Sequence, residues 1–442
     1  MTTTAGQHPR AEDEVLRICR DLVRMDTSNY GDGSGPGERE AAEYVQALLE
    51  EVGLEVTYVE TEPRRASVVA RWAGTDPDAP ALVLHGHTDV VPARAEDWTY
   101  DPFAAEVVDG MVWGRGTVDM KDMDAMILAV VREMIRDGVR PRRDVVLAFF
   151  ADEEAGGVHG AQWLVDHRPE LFAGATEAVS EVGGYSVDVA GHRAYLLQTG
   201  EKSLAWLRLV AEGRAGHGSQ VNPDNAVTHL ARALARIGEH AWPLELTGTV
   251  DELLRGVADL TGLRFDPEDE GTIPALLDAL GPAARFVGAT LRGTATPTQL
   301  EAGYKANVVP TSATGVIDAR FLPASHDASM AVLRDLAGEH VRIEPIHEDI
   351  GLEVPFAGDL VDTMVSSVLA EDPGATVLPY LLSAGTDNKS LARLGIKGYG
   401  FVPLRLPADL DFPGMFHGVD ERVPVESLEF GVRVLRRMLT HL

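Results

Sequence analysis

The sequence predicts an α/β fold: a large α/β sandwich domain with a mostly parallel sheet, into which a smaller α/β lid domain is inserted. With 442 residues, the chain is longer than one hydrophobic core usually supports, which favours two domains or an inserted one. Short apolar runs at 81–84 and 145–150 have the length and composition of strands buried on both faces. The helical periodicity of 123–135 between them gives the strand–helix–strand order of a parallel sheet.

Apolar periodicity predicts the remaining elements in chain order. A helix is expected wherever apolar residues recur every three to four positions, and a strand wherever they alternate or form a short run. The expected elements are helices at 12–25 and 38–52, strands at 54–60 and 204–210, a helix at 225–237, a strand at 308–321, a helix at 330–336, and mixed helix and strand at 361–369.

The order of these elements predicts the domain organisation. We expect a discontinuous large domain at 1–200 and 348–442 and an inserted lid domain at 201–347. The segment 247–296, rich in Asp, Gly and Leu, is expected to enlarge the lid with mixed helix and loop. We expect the two domains to hinge, because lid residues reach a site on the large domain only when the cleft between them closes.

Composition excludes several classes of partner and cofactor. The chain has 39 Lys and Arg against 69 Asp and Glu, and its net charge of −30 repels nucleic acid and anionic lipid. The single cysteine, Cys19, excludes an intramolecular disulfide and any multi-cysteine metal site, so a metal would need His and carboxylate ligands. The polar start and the lack of a long apolar run predict a cytoplasmic protein.

His87 and Asp89 follow the predicted strand at 81–84, at the edge of the sheet where open α/β folds build their sites. On an extended segment, residues two apart share a face, so His87 can bind a metal while Asp89 accepts the other ring N–H. Further along, the glycines of Gly114-Arg115-Gly116-Thr117-Val118-Asp119 permit a tight backbone that presents the Asp119 carboxylate. Taken alone, either motif favours a structural role, and the neighbouring Lys121 and Asp122 are expected in solvent.

Acidic residues and a second histidine appear in equivalent contexts. Glu153 and Glu154 follow the strand at 145–150, where adjacent acids are costly unless cations neutralise them. The two point in different directions, so one can bind a metal while the other takes a proton from water. Glu181 ends the next apolar segment, and His417 lies near the end of the chain. His87, Asp119, Glu154, Glu181 and His417 together suit a pair of Zn²⁺, Co²⁺ or Mn²⁺ ions bridged by Asp119.

With these elements in this order, the sequence resembles the co-catalytic zinc peptidase and amidohydrolase family that includes aminoacylase-1, glutamate carboxypeptidase, succinyl-diaminopimelate desuccinylase, acetylornithine deacetylase and carnosinase-type dipeptidases. The matching elements are His-x-Asp at 87–89, Gly-Arg-Gly-x-x-Asp-Met-Lys at 114–121, Asp-Glu-Glu at 152–154, Glu-x-Gly-Gly at 181–184 and His-Gly-x-Asp-Glu at 417–421. The long lid and the segment 98–103 look most like the carboxypeptidase S and aminoacylase branch.

The resemblance implies a role for each residue. One ion would be held by His87, Asp119 and Glu181, and the other by Asp119, Glu154 and His417. Glu153 would be the general base for attack of water on an amide, and Asp89 would orient His87.

The resemblance also implies roles in the lid and the substrate site. His217 would stabilise the oxyanion, in dimeric members from the partner subunit. Asn307 and Arg320 would contact substrate, and the loop at Gly385 and Thr386 would meet its carboxylate end. By itself, Arg320 could equally pair with Asp318. The implied partners are a small-molecule substrate and a second copy joined through the lid.

Hydrolysis of an amide next to a free carboxylate, in a dipeptide or an N-acyl amino acid, is therefore the leading hypothesis. A catalytically silent metal-binding or scaffold protein of the same fold is the alternative from another class, although an intact Glu153 argues against it. A biosynthetic N-deacylase, removing succinyl or acetyl groups, is a further alternative. Two-metal phosphoester hydrolysis lacks the basic loop that would cradle a phosphate.

Overall fold

The computed structural model describes residues 8–442. Its first part carries most of the polar motifs, and the helices and strands expected at 12–25, 38–52, 54–60, 81–84, 123–135 and 145–150 are each present within a few residues of those bounds. In chain order the elements of this part are α1 (Ala11–Arg24), α2 (Arg39–Glu51), β1 (Val56–Glu62), β2 (Arg65–Trp72), β3 (Ala81–His87), β4 (Glu106–Val108), β5 (Met111–Trp113), α3 (Lys121–Arg136), β6 (Val145–Phe150), α4 (Ala161–His167), β7 (Ala175–Ser180), β8 (Ser186–Val189) and β9 (His192–Glu201).

The middle and last parts of the chain also contain both helices and strands. The middle part contains β10 (Ser203–Glu212), β11 (Gly216–His217), α5 (Ala226–Glu239), α6 (Gly248–Thr261), α7 (Ile273–Ala279), α8 (Ala284–Ala289), β12 (Thr294–Ala302), β13 (Val308–Val309), β14 (Ser312–Phe321), α9 (His326–Ala337) and β15 (Val341–Glu348). The last part contains β16 (Leu352–Glu353), α10 (Asp359–Glu371), β17 (Thr376–Leu382), α11 (Asn388–Ala392), β18 (Lys397–Gly400), β19 (Arg422–Pro424) and α12 (Val425–His441).

The large sheet has the order β1-β2-β6-β3-β7-β18-β9-β16, with β8 and β17 also paired to β9. Its centre is parallel, because β3 runs parallel to β6 and β7, and β18 runs parallel to β7. The strands at its margins, β1, β2 and β16, are antiparallel to their neighbours. The predicted α/β fold with a largely parallel centre is confirmed, and the carboxyl ends of β3, β6 and β7 meet at one edge.

The smaller sheet has the order β12-β14-β10-β15 and is antiparallel throughout. Helices α5 and α9 pack against it, and alternate residues such as Leu207 and Ile317 form a separate core beneath them. The intervening residues, among them Trp206 and Arg320, lie on the opposite face. The division into 1–200 with 348–442 and 201–347 stays a prediction, although the two sheets have separate cores in accordance with it.

The inserted helices α6 and α8 pack against β17 of the large sheet, and α7 packs against α6 and α8. Apolar residues of α6 and α8, such as Leu253 and Val287, belong to the core of the large sheet, and α6 lies directly on β17. At Gly256 a β-carbon would come within 2.3 Å of Leu378, so the missing side chain permits this close approach. The expectation that 247–296 enlarges the lid stays a prediction. Within this segment, apolar faces of α6 and α8 lie on β17, whereas 294–296 belong to β12 of the lid sheet.

The prediction that Lys121 and Asp122 lie in solvent is wrong, because both residues are fully buried. The Lys121 ammonium donates to the carbonyls of Leu22 and Met25, where α1 ends. Burial lowers the pKa of Lys121 to about 8 and raises the pKa of Asp122 well above its usual value. A charged residue can therefore be buried when its side chain donates hydrogen bonds to the free carbonyl groups at the end of a neighbouring helix.

Among residues 8–442, no helix has both the length and the apolar character required to cross a bilayer.

Candidate metal centre

Three of the five proposed ligands, and the proposed base Glu153, lie at the carboxyl edge of the large sheet because they stand at or just after the ends of central strands. His87 ends β3, Glu153 and Glu154 begin the 3₁₀ turn after β6, and Glu181 directly follows β7. These three strands are neighbours in the sheet, so their ends meet. Sequence reasoning located these residues because each stands next to an apolar run of strand length.

Asp119 lies between the two histidines. His87 Nε2 is 3.0 Å from Asp119 Oδ1 and 3.5 Å from Glu181 Oε2. His417 Nε2 is 3.3 Å from Asp119 Oδ2 and 3.1 Å from Glu154 Oε2. The five proposed ligands are thus brought together, and Asp119 faces one imidazole with each carboxylate oxygen.

The donor set fits divalent cations. Potential ligand atoms of His87, Asp119 and Glu154 lie within 4.8 Å of one another, and so do those of His87, Glu153 and Glu181. Within residues 8–442, the buried Oε1 of Glu154 has no hydrogen-bond partner. Burial and the neighbouring carboxylates raise the pKa of Glu181 to about 8 and raise those of Glu153 and Glu154. This concentration of buried carboxylates is what bound cations would stabilise.

Asp119 and His417 show the opposite electrostatic effect. Hydrogen bonds to Asp119 and Glu154 raise the pKa of His417 to about 11. Burial alone would raise the pKa of Asp119, but hydrogen bonds from His417 and His87 hold it well below its usual range. Asp119 is therefore the carboxylate most strongly held as an anion, which suits the bridging position expected of it.

Asp89 supports both His87 and the acidic turn. His87 Nδ1 lies 3.0 Å from the main-chain oxygen of Asp89 and 3.5 Å from its carboxylate. The same carboxylate accepts the backbone N–H groups of Glu153 and Glu154, each at 3.1 Å. Asp89 therefore fixes the orientation of His87 and also the position of the proposed base.

Asn29 and Arg65 belong to this site and were missed by sequence reasoning. The Asn29 amide donates to Asp89 at 2.9 Å and to Asp152 at 3.1 Å, and its oxygen accepts from Arg65 at 2.9 Å. Arg65 in turn pairs with the buried carboxylate of Glu38. Nothing in the local sequence signals this chain of contacts, because its members come from separate loops and strands.

The loop that carries His417 is held by the Gly114–Gly116 turn. Arg115 pairs with Glu421 and donates to the Gly418 carbonyl at 2.8 Å, and the Gly116 N–H donates to Glu421 at 2.6 Å. The His417 side chain is 56% exposed, whereas the other proposed ligands are buried or nearly so. This ligand therefore depends on its loop for its position.

The lid residues lie apart from the metal centre. His217 is exposed on β11, where its Nδ1 lies 2.8 Å from the Ser219 hydroxyl, and Asn307 is exposed beside it, with its carbonyl accepting from Gly218 N–H. Arg320 makes two contacts, of 2.7 and 3.1 Å, with Asp318 on the same strand. The structure thus brings the five ligands, Glu153 and Asp89 together and leaves these lid side chains outside that group.

The turn at Gly385 and Thr386 lies closer to the metal centre. The residue after this turn, Asp387, is buried, and burial raises the pKa of its carboxyl group well above the usual value, an effect that His87 opposes and Glu181 strengthens. Thr386 donates to Glu201 through its N–H at 3.0 Å and its hydroxyl at 2.6 Å. The turn is therefore placed between the metal centre and the start of the lid.

Comparisons with known proteins agree with this arrangement. The sequence profile of peptidase family M20/M25/M40 matches residues 83–441. Aminoacylase-1 of Homo sapiens is 27% identical over 442 residues, covering 98% of this chain and 96% of that protein. Probable carboxypeptidase S-like 2 of Dictyostelium discoideum is 27% identical over 394 residues, covering 82% of this chain and 71% of that protein.

A solved structure matches over the same extent. The M20 family metallo-carboxypeptidase Sso-CP2 of Sulfolobus solfataricus superposes with a TM-score of 0.72 at 17% identity, covering 97% of this chain and 99% of that one. At that identity the match concerns the fold alone. The resemblance to the aminoacylase and carboxypeptidase S branch, stated from the motifs, is confirmed by the sequence matches.

Proposed function

Because the chain belongs to peptidase family M20/M25/M40 and is thus a metal-dependent hydrolase of amide bonds, we propose that it cleaves a dipeptide or an N-acyl amino acid. The scissile amide is adjacent to a free carboxylate in this proposal. The observation that carries it is the convergence of His87, Asp119, Glu154, Glu181 and His417 with Glu153 at one sheet edge.

We assign two divalent ions to this site, most simply Zn²⁺, with Co²⁺ or Mn²⁺ as substitutes. One would be held by His87, Asp119 and Glu181, and the other by Asp119, Glu154 and His417. The YXEP protein of Bacillus subtilis, which has a similar fold, is a dinuclear metal binding peptidase, and this supports the number of ions. When bound, the ions supply Lewis-acid activation of water and of the amide carbonyl.

The chain's own residues supply the proton transfers. Glu153 takes the proton of the attacking water and returns it to the nitrogen of the leaving amine. Its raised pKa, caused first by burial, helps the carboxyl group hold that proton between the two transfers. Asp89 keeps Glu153 in place because its carboxylate accepts a hydrogen bond from the Glu153 backbone N–H.

Arg320 and the turn at Gly385 and Thr386 bind the substrate carboxylate. Arg320 reaches this carboxylate after breaking its ion pair with Asp318.

Substitution of Glu153 tests the proposal. With zinc or cobalt added, the wild-type protein is expected to hydrolyse members of a panel of dipeptides and N-acyl amino acids, and to prefer free carboxylates over the corresponding amides. Glu153→Gln removes the proton acceptor and is expected to lower kcat about 10²–10⁴-fold, with the metal content by mass spectrometry unchanged.

Glu170→Gln, an exposed acid in the turn after α4, is the matched control and is expected to keep full turnover. An unchanged rate in Glu153→Gln would remove Glu153 from the mechanism. Metal binding without turnover of any panel member would favour the silent scaffold instead. Cleavage confined to succinyl or acetyl substrates of one biosynthetic type would favour the N-deacylase.

We also propose a homodimer in which His217 completes the partner's site. His217 lies outside the group of ligands, whereas the edge strand β12 of the lid sheet is exposed along most of its length, including Leu300 at 63%. An exposed edge strand with an apolar side chain is a surface that a second copy can cover. In the dimer, His217 donates to the oxyanion that forms when water attacks the amide.

Mixing two inactive variants tests this assembly. Glu153→Gln lacks the base and His217→Ala lacks the oxyanion donor, so each is expected to be nearly inactive alone. If His217 acts across subunits, one site of every hybrid dimer is complete, and an equimolar mixture regains roughly a quarter of wild-type activity. No recovery after subunit exchange, which light scattering and differently tagged chains can verify, would place His217 in its own subunit's site.

A further inference from the structure

The chain crosses between the large sheet and the lid sheet twice, and the two crossings lie side by side. Residues 201–203 join β9 to β10, and residues 349–351 join β15 to β16; we call these two segments the junction. The Asp349 N–H donates to the Leu204 carbonyl at 2.8 Å, and Leu352 pairs with Glu201. At Gly351 a β-carbon would come within 3.2 Å of the Ser203 nitrogen. The two direct strand-to-strand connections between the large sheet and the lid sheet therefore form one compact pair of segments.

Helix α11 and the turn before it are attached to both crossings. The Lys389 ammonium donates to the Lys202 carbonyl at 2.9 Å and lies 3.7 Å from the Asp349 carboxylate. Thr386 donates twice to the Glu201 carboxylate, at 2.6 and 3.0 Å. The turn is also tight around Lys389, because a β-carbon at Gly385 would come within 2.5 Å of its ammonium group.

These contacts are deeply buried. Lys389, Glu201 and Thr386 are 2%, 1% and 5% exposed. A buried ammonium group is costly unless charged or polar partners surround it, and an apolar side chain of similar volume would often be as stable. Lys389 provides a hydrogen bond to one crossing and an ion pair with the other, and an apolar residue would provide neither.

The other side of the same turn faces the metal centre. A β-carbon at Gly157, just after the acidic turn, would lie 2.9 Å from Asp387 Oδ1. Asn388 Oδ1 is 2.9 Å from His85 Nε2, at the end of β3. The turn 385–387 is therefore held between the metal centre on one side and the junction on the other.

We propose that Lys389 and Glu201 are positioning residues that tie the turn at 385–387 to the junction, so that binding of the substrate carboxylate by this turn is coupled to closure of the lid. The inference rests on the proposed function, which places the substrate carboxylate at this turn. Lys389 acts through the turn and the junction, and touches neither the substrate nor the ions.

Binding measurements in the Glu153→Gln background test the positioning role. The probes are N-acetyl-L-leucine and N-acetyl-L-leucinamide, measured by calorimetry on the metal-loaded protein. Adding Lys389→Met is expected to weaken binding of the acid about 10–100-fold, the effect of losing a buried hydrogen bond from a charged group, and to leave binding of the amide unchanged. Lys389→Arg is expected to restore most of the affinity, and the exposed Lys397→Met is the matched control.

Closure is measured separately, by the distance between spin labels on Val221→Cys in the lid and Val107→Cys in β4. Both positions are exposed, and the single native cysteine, Cys19, is buried. In Glu153→Gln the acid probe is expected to shift the label distance, and in Glu153→Gln with Lys389→Met the shift is expected to disappear. Glu201→Gln gives a second route to the same loss if Lys389→Met does not fold.

The outcomes of these experiments test the positioning role, the coupling to closure and the carboxylate requirement separately. A full distance shift in the Lys389→Met protein, or equal weakening of acid and amide binding, would overturn the positioning role. No distance shift in Glu153→Gln itself would overturn the coupling to closure while leaving the hydrolase assignment intact. Equal binding of acid and amide by Glu153→Gln, with turnover in the wild type, would remove the carboxylate requirement from the proposed function.

Discussion

At the scale of single residues, Asn29 connects the metal centre to the surrounding loops. Its side chain joins Asp89, Asp152 and Arg65, and Asp89 in turn holds both His87 and the acidic turn. Asn29→Ala is expected to weaken metal binding about 10–100-fold, the usual effect of removing a residue that orients a ligand. Titration of the metal-free protein with Zn²⁺ measures this change.

Asn222→Ala in the lid is the control, because Asn222 is half-buried and, among the described residues, its side chain bonds only to Arg214 and Asp224 of the lid. It is expected to leave the zinc affinity unchanged. Equal zinc affinities for Asn29→Ala and the wild type would show that Asp89 is held in place without Asn29.

The sequence predicted the residues that stand beside strand ends and missed those that act through space. His87, Glu153, Glu154 and Glu181 were found because each follows an apolar run that has to be a strand. Asn29 gives no such signal, because its partners come from residues distant in the sequence. Periodicity reports local structure, whereas hydrogen-bonded networks depend on which loops the finished fold brings together.

At the scale of elements, helix α8 supports the loop that carries His417. Phe286 packs edge-on against Phe416 with ring centroids 6.4 Å apart, and Phe416 packs against Phe412 at 5.6 Å. The neighbouring Arg285–Asp411 pair is exposed on both sides and is expected to contribute little. The aromatic contact is therefore the main support that the inserted segment gives to this ligand.

Phe286→Ala is expected to release the His417 loop and weaken only one of the two ions. His417 is the sole proposed ligand on that loop, so the ion that it shares with Asp119 and Glu154 should bind about tenfold more weakly, while the other is retained. Stepwise zinc titration with mass spectrometry measures the two affinities. Phe265→Ala, a change in the same inserted segment, is the control, and loss of both ions to the same extent in Phe286→Ala would refute the selective support.

The inserted segment also shows where element prediction stops. Its turn-rich sequence indicated helix and loop, and the structure has the helices α6, α7 and α8 there. Their partner was not predictable, because an amphipathic face specifies that it must be buried but not against which surface. The choice of β17 depends on a groove that Gly256 and Leu378 form only in the folded chain.

At the scale of the whole molecule, Lys202 lies between the two sheets and makes stability depend on pH. Its ammonium donates to the carbonyls of Ala289 and Arg292, and burial, together with the nearby Arg320, lowers its pKa to about 8. In the unfolded chain a lysine has a pKa near 10.4. Between about pH 8 and 10.4 the unfolded state binds more protons, so this residue makes the free energy of unfolding rise with pH.

Lys202→Met is expected to remove that rise. Across the window the wild type should gain about 3 kcal/mol that the variant does not, because each pKa unit corresponds to about 1.4 kcal/mol. Urea unfolding at pH 7.5, 9 and 10.5 measures both curves. Lys121 also titrates in this range but is present in both proteins, so it cancels in the comparison, and parallel curves would show that Lys202 is not the source.

The order of the proposed ligands along the chain has a consequence for biosynthesis. His87, Asp119 and Glu181 leave the ribosome first, whereas His417 follows only after the whole lid has been made. At about 5–20 residues per second, that interval lasts on the order of 10 to 50 s. During translation a nascent chain therefore contains every member of the first proposed set of three ligands well before the second set is complete.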